Sequence, residues 1–249
     1  MRIRRFRRAV TLGWALILCI VRMWLQRLRG PLSLERKAAW SQWSSRLVLN
    51  ALGVRYQVEG RPPARGLVVC NHLSYIDILV LEAAMPSFFV AKIEIGGWFF
   101  FGMAARSNGT IFVDRGSLSS AMSVAEQMTE RLKLPIPVPV VLFPEGTSTD
   151  GSQVIRFHSR LIDPAISIGA PITTAAIRYV IDGGIEEREL CWYGHESFAT
   201  HLWKVLGAGG FSADLRFGVT RVYTNRRVAA DETRAEIEAM RNGAVLVLQ

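Results

Sequence analysis

From residue 67 onward, apolar residues come in short runs separated by stretches in which they recur every three or four positions. The runs at 67–70, 88–91, 110–113, 138–143, 173–179 and 214–219 have the length and β-branched content of strands. Between and after them, residues 76–84, 117–132, 195–206 and 231–240 carry the spacing of amphipathic helices. This alternation predicts an α/β fold, a mixed and mostly parallel sheet flanked by helices. The first 52 residues follow another rule. Residues 9–21 are almost wholly apolar and end at Arg22, and residues 33–52 bring Trp40, Trp43, Leu47 and Leu52 at helical spacing.

A membrane span needs roughly 20 apolar residues, and the run at 9–21 stops sooner. Three readings stand open for it: a cleaved signal peptide, a short span, or a helix lying in or dipping into one leaflet. No small-x-small cleavage site follows, and Arg22, Arg27 and Arg29 are poor company for one. Basic residues on both flanks suit a helix whose two ends stay at the anionic cytoplasmic face, which favours the one-leaflet reading. The helix at 33–52 either shares that surface or packs on the body. The chain therefore divides into a membrane-associating helical segment, 1–52, and a globular domain, 53–249.

Charge sharpens this division. The net charge of +9 invites a nucleic-acid reading, but eight of the 30 basic residues precede residue 30 and no acidic residue occurs before Glu35. The remaining 22 basic groups face 21 acidic ones, so the body is nearly neutral and nucleic acid is not an expected partner. Cys19, Cys70 and Cys191 form no C-x-x-C pair, and with no cleavable signal they are expected as reduced thiols on the cytosolic side.

Unusual polar residues follow four of the expected strands: Asn71-His72, Lys92, Asp114-Arg115 and Glu145-Gly146-Thr147. In open α/β sheets, ligands bind at the C-terminal strand edge, so these groups are expected in one crevice. On one continuous helix, His72 and Asp77 would point about 140° apart. They meet if His72 lies in the strand-to-helix turn and Asp77 in the first helical turn. Two readings of the pair stand side by side. Ser74 and Asp77 form a capping box and His72 is a turn histidine, or Asp77 fixes the imidazole tautomer and His72 acts as general base on a substrate hydroxyl. Glu145 alone reads as a group that satisfies turn amides, and Arg115 as a planar fork suited to phosphate.

Taken in order, Asn71-His-x-Ser-x-x-Asp77, Gly109-x-x-Phe-x-x-Arg115 and Pro144-Glu-Gly-Thr147 resemble the lysophospholipid acyltransferase family typified by 1-acyl-sn-glycerol-3-phosphate acyltransferase. The resemblance covers roughly residues 50 to 225. It implies a glycerolphosphate acyltransferase-like fold with an N-terminal hydrophobic anchor, and it makes 53–249 the catalytic domain. His72 and Asp77 match the catalytic dyad, with Asn71 and Ser74 flanking it. Gly109, Phe112 and Arg115 match the acceptor-phosphate block, Lys92 matches a nearby cation, and Glu145, Gly146 and Thr147 match a block that positions the acceptor. The implied reaction moves an acyl group from acyl carrier protein or coenzyme A to the hydroxyl of a lysophospholipid, giving phosphatidic acid. It takes place at the cytoplasmic face of the inner membrane, with no cofactor and no metal.

The chain departs from the family pattern at two places. Ser148-Thr149 stands where Arg-Ser is frequent, and Phe157-His158-Ser159-Arg160 where Phe-Lys-x-Gly is frequent. Both put the acceptor in question more than the reaction, so a non-phosphate lysolipid such as lyso-ornithine lipid is an alternative. A catalytically silent membrane-binding relative is another. A lipid hydrolase is weakened by the absence of Gly-x-Ser-x-Gly. His195 and His201 read as structural, Cys70 as a buried apolar residue, and the aromatic run at 98–101 as core or acyl path.

Overall fold

In a computed structural model the chain is described over residues 1–28, 30–92, 109–113, 118–181 and 186–243. Two helices open it, α1 (Arg2–Arg27) and α2 (Leu34–Leu52). Ser33 starts α2 by accepting the Arg36 N–H, and Gly53, at φ 71°, ends it in the left-handed region that leads straight into β1 (Val54–Glu59). The order then runs β2 (Leu67–Cys70), α3 (Ile76–Ala84), β3 (Phe88–Lys92), β4 (Ile111–Val113), α4 (Leu118–Lys133) and β5 (Val140–Leu142). It ends with α5 (Asp163–Ser167), β6 (Ile172–Ile181), α6 (Phe198–Gly207), β7 (Phe211–Arg221) and α7 (Arg226–Arg241).

Among the described residues, seven strands form one sheet in the order β1-β7-β6-β2-β5-β3-β4. Every neighbouring pair is parallel except β6 and β7. This is the mixed, mostly parallel sheet expected from the alternation. The central strands are buried on both faces, as parallel strands covered by helices must be. In β2, Val68 and Cys70 enter a core built with Leu49 and Leu52 of α2 and Val80 of α3. Leu67 and Val69, pointing the other way, join Met128 of α4 and Ala229 and Ile237 of α7. Because β2, β5, β3 and β4 all run the same way, their C-terminal ends lie along one edge of the sheet. That edge carries His72, Glu145 and Lys92.

Among the described residues, α1 is the one helix long and apolar enough to cross a membrane. One stripe of it faces the protein: Ala15, Cys19 and Met23 are buried, the last two against Trp40. The opposite stripe is bare and apolar, with Ile3, Phe6, Trp14, Ile17, Trp24 and Leu28 exposed. Arg4 and Arg8 donate to the Gly207 and Ala208 carbonyls, the latter at 2.8 Å, and the Arg5 guanidinium stacks over Trp203. Three arginines of the basic N-terminus therefore hold the negative end of α6, where the Ala208 N–H satisfies only the Lys204 and Val205 carbonyls.

Candidate active site

At the end of β2 the backbone turns away from the sheet, and Asn71 keeps it tied there. Its amide exchanges two hydrogen bonds with the backbone of Ile177 on β6, at 3.1 and 2.8 Å. Cys70 pairs with Ala175, so this side chain extends the β2–β6 ladder past the last backbone rung. Asn71 is 2% exposed and both ends of its amide are used, so it holds the loop that carries His72.

His72 and Asp77 meet as the turn geometry requires. His72 Nδ1 lies 2.9 Å from Asp77 Oδ2. The same oxygen accepts the backbone N–H groups of Leu73 at 2.6 Å and Ser74 at 2.9 Å. The expected capping box is not formed as such, since Tyr75 is the N-cap of α3 and has no side-chain cap; instead the carboxylate that ties the N–H groups of the loop before α3 also fixes the imidazole. Since Asp77 can only accept, Nδ1 carries the proton and Nε2 holds the lone pair. Ser74 Oγ accepts the Ile76 N–H at 3.2 Å, and the phenol of Tyr179 donates to Asp77 Oδ1. Phe143, at the end of β5, stacks on the imidazole with centroids 4.1 Å apart. The His72 side chain is 19% exposed, so one edge of the ring reaches solvent while the other is held.

Glu145 joins two loops. Its Oε1 takes the His72 N–H at 2.8 Å and its Oε2 the Ile155 N–H at 3.3 Å. Burial pushes its carboxyl up to about 7, against the pull of those two amides. Gly146, at φ 73°, makes the turn that lets Glu145 point back toward β2. Thr147 is exposed beyond it. Thr149 N donates to the His72 carbonyl at 2.9 Å, and Trp192 N to the Leu73 carbonyl at 2.8 Å, so the His72 loop is fastened from both sides. Ser148 donates to the Trp192 carbonyl.

The structure brings Asn71, His72, Ser74, Asp77, Glu145 and Gly146 together, and leaves Thr147 exposed next to them in the chain. Gly109, at φ 79°, precedes β4, and half-buried Phe112 lies within it. Lys92 ends β3, with its side chain outside the described atoms. Arg115 and the aromatic run at 98–101 lie outside the described residues. His158 and Arg160 are exposed, and the His158 N–H bonds the Pro144 carbonyl at 2.9 Å. Cys70 is fully buried and its thiol is pushed well up, which removes the thiolate that acyl-cysteine chemistry needs. His201 is buried between the Leu190 carbonyl at 3.0 Å and the Tyr75 hydroxyl at 3.3 Å. Among the described residues, no group of three or more His, Cys, Asp or Glu is arranged to hold a metal ion.

Sequence reasoning missed Tyr179, Phe143, Trp192 and Arg241. A phenol inside the apolar run 172–181 was the available signal for the first. Arg241 had none: it comes from the end of α7 to reach the carbonyls of Ile177 and Gly151, the latter at 2.6 Å, and Glu187 at 2.8 Å.

Comparison with known proteins places the chain in a family. The chain is 36% identical over 166 residues to the lyso-ornithine lipid O-acyltransferase of Rhodobacter capsulatus, covering 65% of this chain and 59% of that protein. It is 32% identical over 163 residues to the 1-acyl-sn-glycerol-3-phosphate acyltransferase of Neisseria meningitidis, covering 64% and 62%. The chain thus spans about three-fifths of the length of these relatives. The crystal structure of the 1-acyl-sn-glycerophosphate acyltransferase from Thermotoga maritima superposes over 96% of both chains with a TM-score of 0.67 at 15% identity, a likeness of fold. A family model described as acyltransferase matches residues 54–178, which run from β1 through the His72 loop and Glu145 into β6, and the chain belongs to that family.

Proposed function

We propose that this chain transfers a fatty acyl group from a thioester donor, acyl carrier protein or acyl-coenzyme A, to the hydroxyl of a lysolipid at a membrane surface. The observation that carries the reading is the His72 Nδ1–Asp77 Oδ2 contact of 2.9 Å, with Nε2 taken by no partner among the described residues at the C-terminal edge of the sheet. Nε2 takes the proton of the acceptor hydroxyl as its oxygen attacks the thioester carbonyl. The tetrahedral intermediate collapses, the C–S bond breaks, and the departing thiolate recovers the proton from the imidazolium. Ester and thiol are the products, and no serine nucleophile is required. Asp77 keeps Nδ1 protonated throughout and stabilises the transient cation.

For the acceptor, lyso-ornithine lipid comes first. The position where the family pattern places a cation after Glu-Gly-Thr is Ser148, and its hydroxyl is turned to the Trp192 carbonyl. The Rhodobacter capsulatus relative carries that acceptor in its name. 1-Acyl-sn-glycerol-3-phosphate is the second reading: the Neisseria meningitidis relative carries that acceptor in its name, and Gly109-x-x-Phe112-x-x-Arg115 matches the family's acceptor-phosphate block in the sequence. The bare apolar stripe of α1 supports a seat on the membrane, and its basic flanks support the cytoplasmic face of the inner membrane.

Purified protein assayed with both donors against both acceptors tests this reading. One acceptor should be acylated, and His72→Ala should lower turnover by about 10² to 10⁴ with the fold intact. Acylation of neither acceptor, or a folded His72→Ala protein within about tenfold of wild type, would overturn the proposal.

A further inference from the structure

Asp77 is a fully buried carboxylate, and its two oxygens are used unequally. Oδ2 takes His72 Nδ1 and the N–H groups of Leu73 and Ser74, all from its own loop. Oδ1 takes the Tyr179 phenol, which comes from β6, 102 positions along the chain. A carboxylate held on one oxygen can still rotate about its Cβ–Cγ bond, whereas a donor on the other oxygen fixes the plane.

The phenol is itself held in place. Its ring lies edge-on to Phe211 with centroids 5.4 Å apart. The Tyr179 N–H donates to Glu187 Oε1 at 2.7 Å, and Glu187 Oε2 is gripped by Arg241 at 2.8 Å. Arg241 also donates to the Ile177 carbonyl, the acceptor that Asn71 uses. A chain of contacts therefore runs from the end of α7 through Arg241, Glu187 and Tyr179 to the carboxylate that holds His72. Burial beside Asp77 pushes the phenol well up, so its proton stays on oxygen and Tyr179 is always the donor.

We infer that Tyr179 is a positioning residue for the His72–Asp77 pair: its O–H fixes the carboxylate plane so that Oδ2 faces Nδ1, and draws negative charge away from the oxygen that holds the imidazole. The inference rests on the proposed role of the pair in acyl transfer. Its consequences have a sign. Without the phenol donor Asp77 becomes the stronger base, the His72 imidazolium is favoured, and the free base at Nε2 appears only at higher pH. A stronger phenol donor does the opposite.

Tyr179→Phe and the protein carrying 3-fluorotyrosine at position 179 test this together, because the first removes the hydroxyl and the second makes it a better donor. Turnover and KM are read against pH, and the His72 ring proton is titrated by NMR. The NMR arm matters because Glu145, which takes the His72 N–H, titrates at about 7 and would also mark an activity profile. Cys70 and Cys191 also feel this cluster, but both thiols are pushed up and stay neutral. In Tyr179→Phe, kcat should fall about 10-fold or more with KM nearly unchanged, and the His72 titration should move up. In the fluorotyrosine protein that titration should move down.

A folded Tyr179→Phe protein with wild-type kcat and an unmoved His72 titration would overturn the inference, as would shifts of the same sign in both proteins. Should the Phe variant fail to fold, the fluorotyrosine protein, which keeps ring and hydroxyl, decides by the direction of its shift. An inactive His72→Ala with unperturbed Tyr179 variants sinks this inference alone. An active His72→Ala with opposite His72 shifts sinks the acyl-transfer role of the dyad and leaves the coupling standing.

Discussion

At 2% exposure, Glu145 is held by two backbone amides and disfavoured as an anion by its burial, so its folded pKa of about 7 lies above the unfolded range. A carboxyl raised in this way stabilises the fold fully below the unfolded value near 4.5. That contribution is lost as pH climbs through about 7, because only the folded state then holds the proton. Glu145→Gln removes the titration. The variant's melting temperature relative to wild type should therefore rise between pH 4.5 and 7, and calorimetry across that window checks it. A flat difference would mean that Glu145 keeps its charge throughout. For His72 and Asp77 the spacing left two readings open and the ordered motifs of the family pointed to the pair, which the turn then brings within 2.9 Å. Tyr179 was not legible, since a phenol in an apolar strand is usually just core, and its partner depends on which strand lies beside β2.

Among the elements, β1 shows the opposite failure. Arg55, Gln57 and Glu59 make Val54–Glu59 a half-polar stretch without the apolar run that marked the other strands, yet it pairs in parallel with β7 at the sheet edge. Edge strands need only one covered side, so their pattern is weak and their existence is decided by the partner. The basic face of α1 is a similar case. Charge counts suggested arginines turned to lipid, whereas Arg4, Arg5 and Arg8 are half-buried against α6 and only Arg2 and Arg7 of that cluster stand exposed. Arg8→Ala removes the donor of the Ala208 carbonyl and the second donor of the Val205 carbonyl, which keeps the Ala208 N–H, at a cost of about 1 kcal/mol. For a chain of this size the melting temperature should drop by roughly 2–4 °C. Arg7→Ala, altering an exposed residue, should leave it unchanged, and thermal melts of the two variants side by side read the difference.

At the scale of the whole molecule, the proposed acyl transfer at a membrane surface turns on how α1 sits. A helix of 26 residues is about 39 Å long and could cross a bilayer by length. Crossing, however, would strip Ala15, Cys19 and Met23 from α2 and draw Arg4 and Arg8 away from the end of α6. In the folded chain α2 is itself pinned to the body, with Arg46 donating to the Ala83 carbonyl at 2.8 Å and Leu49 and Leu52 in the core. The helix pair is therefore built into the protein, and the exposed stripe from Ile3 to Leu28 is the surface that the proposed seat on lipid would use. Such a helix lies in the interface with its apolar face buried about 5–10 Å. Trp14 and Trp24 are both on that stripe, ten residues or about 15 Å apart along the axis. Nitroxide labels on Trp14→Cys and Trp24→Cys can report their depths separately, because Cys19, Cys70 and Cys191 are buried. An in-plane helix puts the two labels at nearly equal, shallow depth in liposomes. A crossing helix separates them by most of that 15 Å and carries one toward the bilayer centre, an outcome that would require the α1–α6 contacts to break on binding.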